Sequence, residues 1–351
     1  MTIKTKNPAN TKPKVKEPPA VPAPAHRRPF IPLDEADHRI IELLTADGRA
    51  SNRLLATEVD LTEATVATRL RRLVDQRVLG VTAIFDWEAA GYRWDLWLAV
   101  VVEGRPPREV AKEVAALRHV HSVSMVLGPF DLIVHVVVPE RADVVAFLTE
   151  TISAVPGVRD VTADVTLAWI KYTMNWAALP SPPAELEFPD PVVELDDLDR
   201  AVVAALAHDG RQSNREIGRQ LGVSDGTIRA RLRRLEEAGM LRITAQVDPY
   251  RVGTVGAWAF LGVETDGTDT MATAEQLAAI PEISLVAITA GRHDLFVHAA
   301  AATRTRLVDL VVHELRELPG IRSAQTWEVV SSVAHDYRWV RLVPGQTPAR
   351  V

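Results

Sequence analysis

The chain of 351 residues has a composition typical of folded proteins, with 47% hydrophobic and 25% charged residues, and its length predicts about two domains or several smaller ones. It has no cysteine, which excludes disulfides, thiolate nucleophiles and cysteine-ligated metal sites. No apolar run reaches the ~20 residues of a membrane span, and the N-terminus lacks the apolar segment of a signal peptide, so the sequence predicts a cytoplasmic protein with no membrane partner.

Charge is unevenly distributed along the chain. The net charge is −6, although residues 1–32 carry seven Lys or Arg against the single acidic residue Glu17. This basic, Pro-rich segment has too few apolar side chains to fold, so we predict a disordered tail over 1–32; a DNA-contacting arm is the alternative. Because the remaining residues are acidic overall, any contact with nucleic acid has to come from a local basic surface.

The chain contains an internal repeat. The segment LDEADHRIIELLTADGRASN from Leu33 aligns with LDDLDRAVVAALAHDGRQSN from Leu195, and LRRL occurs at Leu70–Leu73 and again at Leu232–Leu235. The offset between the repeats is 162 residues here and 163 later in the chain, which indicates one inserted residue. Two copies of one structural unit are therefore expected.

Each repeat begins with a predicted helix-turn-helix domain, over 33–88 and 195–250. Apolar residues recur at helical spacing in three short segments, and a β-forming segment follows the third, as in a winged helix. Asp47-Gly48 is typical of a helix end. Hydroxyl side chains that can cap the following helices are Ser51, Thr62, Ser213 and Ser224.

Each repeat continues with a strand-helix-strand-strand-helix-strand pattern, over 92–176 and 254–337, which is the ferredoxin-like order. The predicted fold class is therefore α+β, with two winged-helix-like helix-turn-helix domains alternating with two ferredoxin-like βαββαβ domains. A Pro-rich acidic linker is predicted over 177–194, and residues 338–351 are assigned to a C-terminal tail.

The third predicted helix of each repeat presents small residues followed by arginines on the side opposite its apolar stripe. Small residues let a helix approach base edges, and arginines beyond them can contact phosphate or guanine; the alternative is an ordinary solvated face. For Arg69 and Arg231 an internal salt bridge fits equally well. The predicted DNA-binding residues are Thr62, Thr65, Thr68, Arg69, Arg71, Arg72, Ser224, Thr227, Arg229, Arg231, Arg233 and Arg234.

The two predicted DNA-binding faces are not identical. Ala67-Thr68 in the first repeat corresponds to Arg229-Ala230 in the second. Identical halves need a palindromic site, whereas unlike halves can contact unlike half-sites about one helical turn apart. We therefore expect the protein to bind double-stranded DNA at an asymmetric operator.

Taken together, these features resemble the Lrp/AsnC (feast/famine) family of transcriptional regulators. The resemblance covers 33–176 and 195–337 and is carried by LDEADHRIIELL, the DGRxSN turn, RLRRL and a Gly-x-x-Asp step between two strands. It implies a regulator that responds to a small molecule, commonly an amino acid, bound between paired βαββαβ modules. Residues carried over as effector-binding are Gly128, Asp131, Gly291 and Asp294.

The resemblance also bears on assembly. Family chains usually carry one such unit and pair as dimers, so two units in one chain imply an intramolecular pseudo-dimer that forms homo-oligomers. For Asp131 and Asp294 the alternative to effector binding is that each carboxylate only hydrogen-bonds its own loop.

Two other functions remain open at this point. Some relatives with this architecture decarboxylate a haem precursor of the siroheme type, and His119, His121, His135 and His298 could suggest acid-base or metal chemistry. However, Asp131 and His135 are four residues apart on a predicted strand, too far for a hydrogen-bonded dyad, and no third metal ligand is evident. No catalytic residue, metal or cofactor is therefore assigned. The other alternative is an architectural DNA-binding protein without an effector.

Overall fold

The computed structural model describes residues 30–173, 195–335 and 338–342. The predicted linker and most of the predicted N-terminal tail lie outside these ranges. At residue 31 the chain already contacts the second repeat, because the Ile31 amide donates to the Arg251 carbonyl over 2.7 Å. In the described ranges, no helix combines the length and the apolar character that crossing a membrane demands.

The first repeat begins with the predicted three helices and a strand. They are α1 (Glu35–Ala46), α2 (Asn52–Glu58), α3 (Glu63–Asp75) and β1 (Leu79–Asp86). Ser51 and Thr62 cap α2 and α3, since each hydroxyl accepts a backbone amide three residues further on at 3.1 Å. The apolar stripes of the helices meet in one buried core, which includes Ile40, Ile41, Leu44, Leu55, Val66, Leu70 and Leu73.

The βαββαβ module of the first repeat follows in the predicted order. Its elements are β2 (Trp94–Val102), α4 (Pro107–Ala115), β3 (Val120–Leu127), β4 (Leu132–Val138), α5 (Arg141–Ala146) and β5 (Val158–Tyr172). The second helix of the predicted pattern is not α-helical throughout, because α5 continues into a π-helical turn at Phe147–Thr151. The Ile152 amide there donates to the Phe147 carbonyl, and the wider turn buries both side chains.

The second repeat has the same order of elements. Its helix-turn-helix unit comprises α6 (Asp197–His208), α7 (Asn214–Leu221), α8 (Asp225–Glu237) and β6 (Leu241–Val247). Its module comprises β7 (Ala257–Thr265), α9 (Thr270–Ala279), β8 (Ile283–Ala290), β9 (Leu295–Ala301), α10 (Arg304–Asp309), α11 (Leu315–Glu317) and β10 (Ile321–His335), with a π-helical turn at Leu310–Glu314 between α10 and α11. The fold is thus α+β, with winged-helix and ferredoxin-like units alternating.

The two modules close into one eight-stranded barrel with strand order β10-β3-β4-β2-β5-β8-β9-β7. The two 15-residue strands β5 and β10 join the modules. Each pairs antiparallel with a strand of its own module and with one of the other: β5 with β2 and β8, and β10 with β7 and β3. The chain is therefore an intramolecular pseudo-dimer.

The strands that leave the helix-turn-helix units also pair across the repeats. β1 and β6 run antiparallel, with Thr82 opposite Thr244. A short strand β11 (Trp339–Val340) adds parallel to the other edge of β1. The sequence placed these residues in a tail, but Arg341 pairs with the buried carboxylate of Asp86, and the Leu342 amide donates to that carboxylate over 2.8 Å.

Candidate DNA-binding surface and effector loops

The N-terminus of each third helix is held by a hydroxyl pair. Thr62 and Thr65 share a hydrogen bond of 2.8 Å between their side-chain oxygens, and Ser224 and Thr227 do the same. Thr68 bonds back to the Ala64 carbonyl at 2.9 Å. These hydroxyls fix the front of each helix, and Thr62, Thr68 and Ser224 remain exposed.

Four of the predicted DNA-binding arginines are tied to the first helix of their own unit. Arg69 donates to Asp34 at 2.6 Å and to Asp37 at 2.9 Å, and Arg72 also bonds Asp37. In the second repeat, Arg231 and Arg234 bond Asp199 in the same way, and Arg231 also bonds Asp196. The internal salt bridge is thus present for Arg69 and Arg231.

The carboxylates of these clusters differ in burial. Asp37 and Asp199 each have only 1% of the side chain exposed, whereas that of Asp34 is 54% exposed. The pKa of the Asp34 carboxyl is lowered, mainly by its hydrogen bond from the Asp37 backbone amide and next by its hydrogen bond from Arg69. Each cluster docks the third helix on the start of the first, so it positions the exposed face of the third helix.

Arg71 and Arg233 are the arginines best placed for DNA contact. Both are exposed on the third helix, and neither forms an ion pair with any residue in the described ranges. Arg229 has an exposed partner, Asp225, at 3.2 Å, and such surface pairs contribute little. All three guanidinium groups can therefore exchange water or an exposed partner for phosphate at small cost.

The sequence did not reveal the role of the arginine in each DGR turn. Arg49 donates to Asn214 Oδ1 at 2.7 Å and to the Gln212 carbonyl at 2.8 Å. Arg211 donates to Asn52 Oδ1 and to the Ala50 carbonyl, each at 2.9 Å. Burial lowers the pKa of both side chains. These reciprocal contacts join the two helix-turn-helix units, and the only sequence signal was recurrence of the DGR turn.

Removing one of these arginines should loosen the pair of helix-turn-helix units. Arg211→Ala deletes its bonds to Asn52 and to the carbonyls of Gly48 and Ala50. Because the bonds are charge-assisted and half-buried, we expect a loss of about 2 kcal/mol in unfolding free energy. Chemical denaturation measures this loss. The control Arg53→Ala, on the exposed side of α2, should change it by less than about 0.5 kcal/mol; equal effects would contradict the assignment.

Asp47-Gly48 follows the end of α1 as predicted, and Gly48 also contacts the other repeat. Its amide donates to the Ile243 carbonyl at 3.0 Å, and a Cβ atom there would lie 2.8 Å from the Thr244 nitrogen. Gly210 makes the corresponding approach to β1, with its amide on the Val81 carbonyl. The glycines are needed because the turn of one repeat touches the exit strand of the other.

The carboxylates of the predicted effector loops have partners within the protein. Asp131 Oδ2 accepts the Val102 amide at 2.7 Å, and Asp294 Oδ2 accepts the Thr265 amide at 2.7 Å. Both side chains thereby fix the end of a neighbouring strand 29 residues away, and not their own loop as the alternative had it. Gly128 has a φ of +140° and lies against Trp327 of the other repeat. An effector role for these aspartates and for Gly128 and Gly291 remains a prediction.

Three of the histidines considered for chemistry, His121, His135 and His298, lie buried in the barrel, whereas His119 precedes β3 and is only partly buried. His135 Nε2 is 2.9 Å from Asp95 Oδ1, and Asp95 also accepts from Thr166 and Trp169 at 3.1 Å. The His135 ring stacks on Trp97 with 4.2 Å between centroids. Among the described residues, no group of three His, Cys, Asp or Glu side chains could hold a metal ion.

Family models match both repeats. The Lrp/AsnC ligand binding domain matches residues 98–176 and 258–339, the AsnC-type helix-turn-helix domain matches 195–236, and a winged helix-turn-helix DNA-binding domain matches 33–79. The four matches alternate along the chain as the two kinds of unit do in the fold.

Similar proteins span about one repeat each. An uncharacterised HTH-type transcriptional regulator of Pyrococcus horikoshii is 33% identical over 142 residues, which are 40% of this chain and 89% of that protein. The HTH-type transcriptional regulator FL11 of the same organism is 32% identical over 144 residues, 41% of this chain and 95% of that protein.

One similar solved structure spans both repeats. The siroheme decarboxylase NirDL has a TM-score of 0.62 and 17% identity, covering 86% of this chain and 93% of that chain. At this identity the likeness shows the fold alone. The matches to the regulators and to the family domains are the ones that assign the chain: it belongs to the Lrp/AsnC family, and it carries the helix-turn-helix and ligand-binding unit of that family twice.

Proposed function

We propose that the protein is a sequence-specific DNA-binding transcription regulator that responds to a small-molecule effector. The observation that supports this most directly is the pair of capped third helices, each with an exposed arginine, joined by reciprocal contacts of Arg49 and Arg211. A basic helix face at the front of a helix-turn-helix unit suits the major groove. The proposal includes a cytoplasmic location, in which the chain meets chromosomal DNA.

The proposed operator is asymmetric. The exposed faces of α3 and α8 carry unlike residues at matching positions, with Thr68 against Ala230 and Ala67 against Arg229. Both helices belong to one chain, so each can contact its own half-site without a second copy. A binding consensus with full dyad symmetry, selected from random DNA, would contradict this part of the proposal.

The proposed effector is an amino acid bound near the Gly-x-x-Asp loops, where the two modules meet. Gly128, Asp131, Gly291 and Asp294 are the candidate residues. Each aspartate uses Oδ2 for a strand-end amide, and a carboxylate has further lone pairs with which to accept from an ammonium group. We also propose that pseudo-dimers associate further, as family members do.

The DNA-binding proposal is tested by fluorescence anisotropy on DNA from upstream of the protein's own gene, with scrambled DNA for comparison. Arg71→Ala and Arg233→Ala should each weaken binding and lower the slope of log affinity against log salt by about one, because each removes one phosphate contact. The matched control Arg108→Ala removes the same charge from an exposed site on α4 and should leave both quantities unchanged.

Three outcomes contradict parts of the proposal. Equal affinity for upstream and scrambled DNA favours the architectural alternative. If neither DNA binds at low salt, the arginine faces are ordinary solvated surfaces, and the result favours the enzyme alternative. If DNA is bound but no amino acid shifts the affinity, the effector is of another class or absent, because coupling between the two ligands must act in both directions.

A further inference from the structure

Two contacts between the modules occupy equivalent places in the repeat but have different chemistry. Asp164 on β5 meets His293 of the second repeat, and we call this the polar contact. Trp327 on β10, at the position equivalent to Asp164, meets Phe130, at the position equivalent to His293; we call this the aromatic contact. Each contact joins one residue of the first repeat to one of the second.

The polar contact consists of charge-assisted hydrogen bonds in a buried place. Asp164 Oδ2 lies 2.7 Å from His293 Nδ1, and Oδ1 accepts the backbone amides of Arg292 at 2.6 Å and His293 at 3.2 Å. The side chains are 6% and 1% exposed. A carboxylate this deeply buried depends on these donors, because burying a charge without partners is costly.

The aromatic contact fills the equivalent place with rings. Phe130 and Trp327 are both buried, and their ring centroids are 5.7 Å apart in an edge-on arrangement. Trp327 also packs against the His293 ring at 5.3 Å, and the Arg292 guanidinium lies over Phe130 at 5.7 Å from the ring centroid. The two contacts therefore adjoin each other where the Gly-x-x-Asp loops of the two repeats meet.

Pairing of like modules would combine these residues differently. If the first module paired with another copy of itself, Asp164 would face Phe130 at both contacts, and each carboxylate would be buried without its histidine donor. If the second module paired with another copy of itself, His293 would face Trp327 at both contacts, without the carboxylate that His293 bonds. The Arg49 and Arg211 contacts do not discriminate, because both repeats carry the same arginine and an Asn partner.

We infer that the barrel interface is complementary between unlike modules and not self-complementary. The surface of each module fits the module of the other repeat, in the same chain or in a second copy. Pairing with a module of the same repeat is unfavourable. Specificity of this sort comes from the penalty on the wrong partner as well as from the contacts with the right one. The inference does not depend on the proposed effector or operator.

A mutant cycle in the full-length chain tests this inference at the aromatic contact. Trp327→Asp creates the Phe-Asp combination of two first modules, and Phe130→His creates the His-Trp combination of two second modules. We expect each single change to lower the folded-to-unfolded ratio about ten- to a hundredfold, and the double variant to regain at least tenfold over Trp327→Asp because the new His-Asp pair is matched. Chemical denaturation measures the ratio.

Control variants separate matching from loss of volume. The double variant Phe130→His with Trp327→Leu has no carboxylate at this contact. Its folded-to-unfolded ratio should therefore be no higher than that of Trp327→Leu alone. If the effects of Phe130→His and Trp327→Asp multiply to within about twofold, the two positions do not recognise each other and the inference is wrong.

A second cycle decides the question if Trp327→Asp does not fold. Each of two changes, Asp164→Leu and His293→Leu, leaves one partner of the polar contact buried alone. We therefore expect the double variant to be at least as stable as the less stable of the two single variants. Multiplying effects at this contact would overturn the inference in the same way.

Discussion

Asp37→Ala is expected to lower the unfolding free energy by about 3 kcal/mol, the upper end of the range for hydrogen bonds to charged groups, because both arginines left behind are partly exposed to water. The carboxylate is 1% exposed and accepts from both Arg69 and Arg72. Without it, two guanidinium groups at the junction of α1 and α3 lose their shared partner. DNA affinity should fall as well, because α3 loses its attachment to α1. Thermal and chemical denaturation measure the first effect, and anisotropy the second.

The neighbouring Asp34 supplies the control for this prediction. Its side chain is 54% exposed although it also bonds Arg69, so Asp34→Ala should cost about 1 kcal/mol or less. Asp37→Asn keeps the shape but not the charge and should fall between the two. If Asp37→Ala and Asp34→Ala were equally mild, the cluster would be a surface feature with no positioning role.

Gly48→Ala is expected to cost about 3 kcal/mol, at the upper end of the range for overpacking a filled site. The new Cβ would lie 2.8 Å from the Thr244 nitrogen and 2.9 Å from the Ile243 carbonyl carbon and oxygen. These atoms belong to the backbone of β6, so the strand would have to move away from the turn. The measurement is chemical denaturation of the full-length chain.

Gly226→Ala is the matched control, because a Cβ there would meet only Ser224 Oγ at 3.6 Å. In the helix α8, alanine should leave stability unchanged or raise it by up to about 1 kcal/mol. A loss at Gly226 as large as that at Gly48 would mean that close approach to β6 is not what the glycine provides.

The order of helices and strands could be predicted because it depends on local signals. Ser51 and Thr62 cap helices as expected from their place before an apolar stripe, and the β-forming residues of Trp94–Val102 suit a strand. The π-helical turn at Phe147–Thr151 was not expected, because a five-residue spacing of buried side chains is too close to α-helical spacing to be distinguished.

Most of the contacts that define the candidate site could not be predicted, because their partners are far apart in sequence. Arg72 was assigned to DNA, yet its partner Asp37 is 35 residues away. Arg49 contacts a turn 165 residues away. The parallel pairing of β11 with β1 joins Phe85 to Trp339, which are 254 residues apart. Repetition shows that two units exist, but their relative placement depends on tertiary packing that periodicity does not encode.

The closed barrel shared by the two repeats has a consequence for regulation by dosage. A regulator assembled from separate subunits forms its paired state in proportion to the square of subunit concentration when subunits are scarce, so its occupancy rises sigmoidally as expression increases. Here β5 and β10 pair the halves within one molecule. Each newly synthesised polypeptide that folds already contains both helix-turn-helix units. The number of molecules with a complete pair of units therefore rises linearly with expression from the first copies onward.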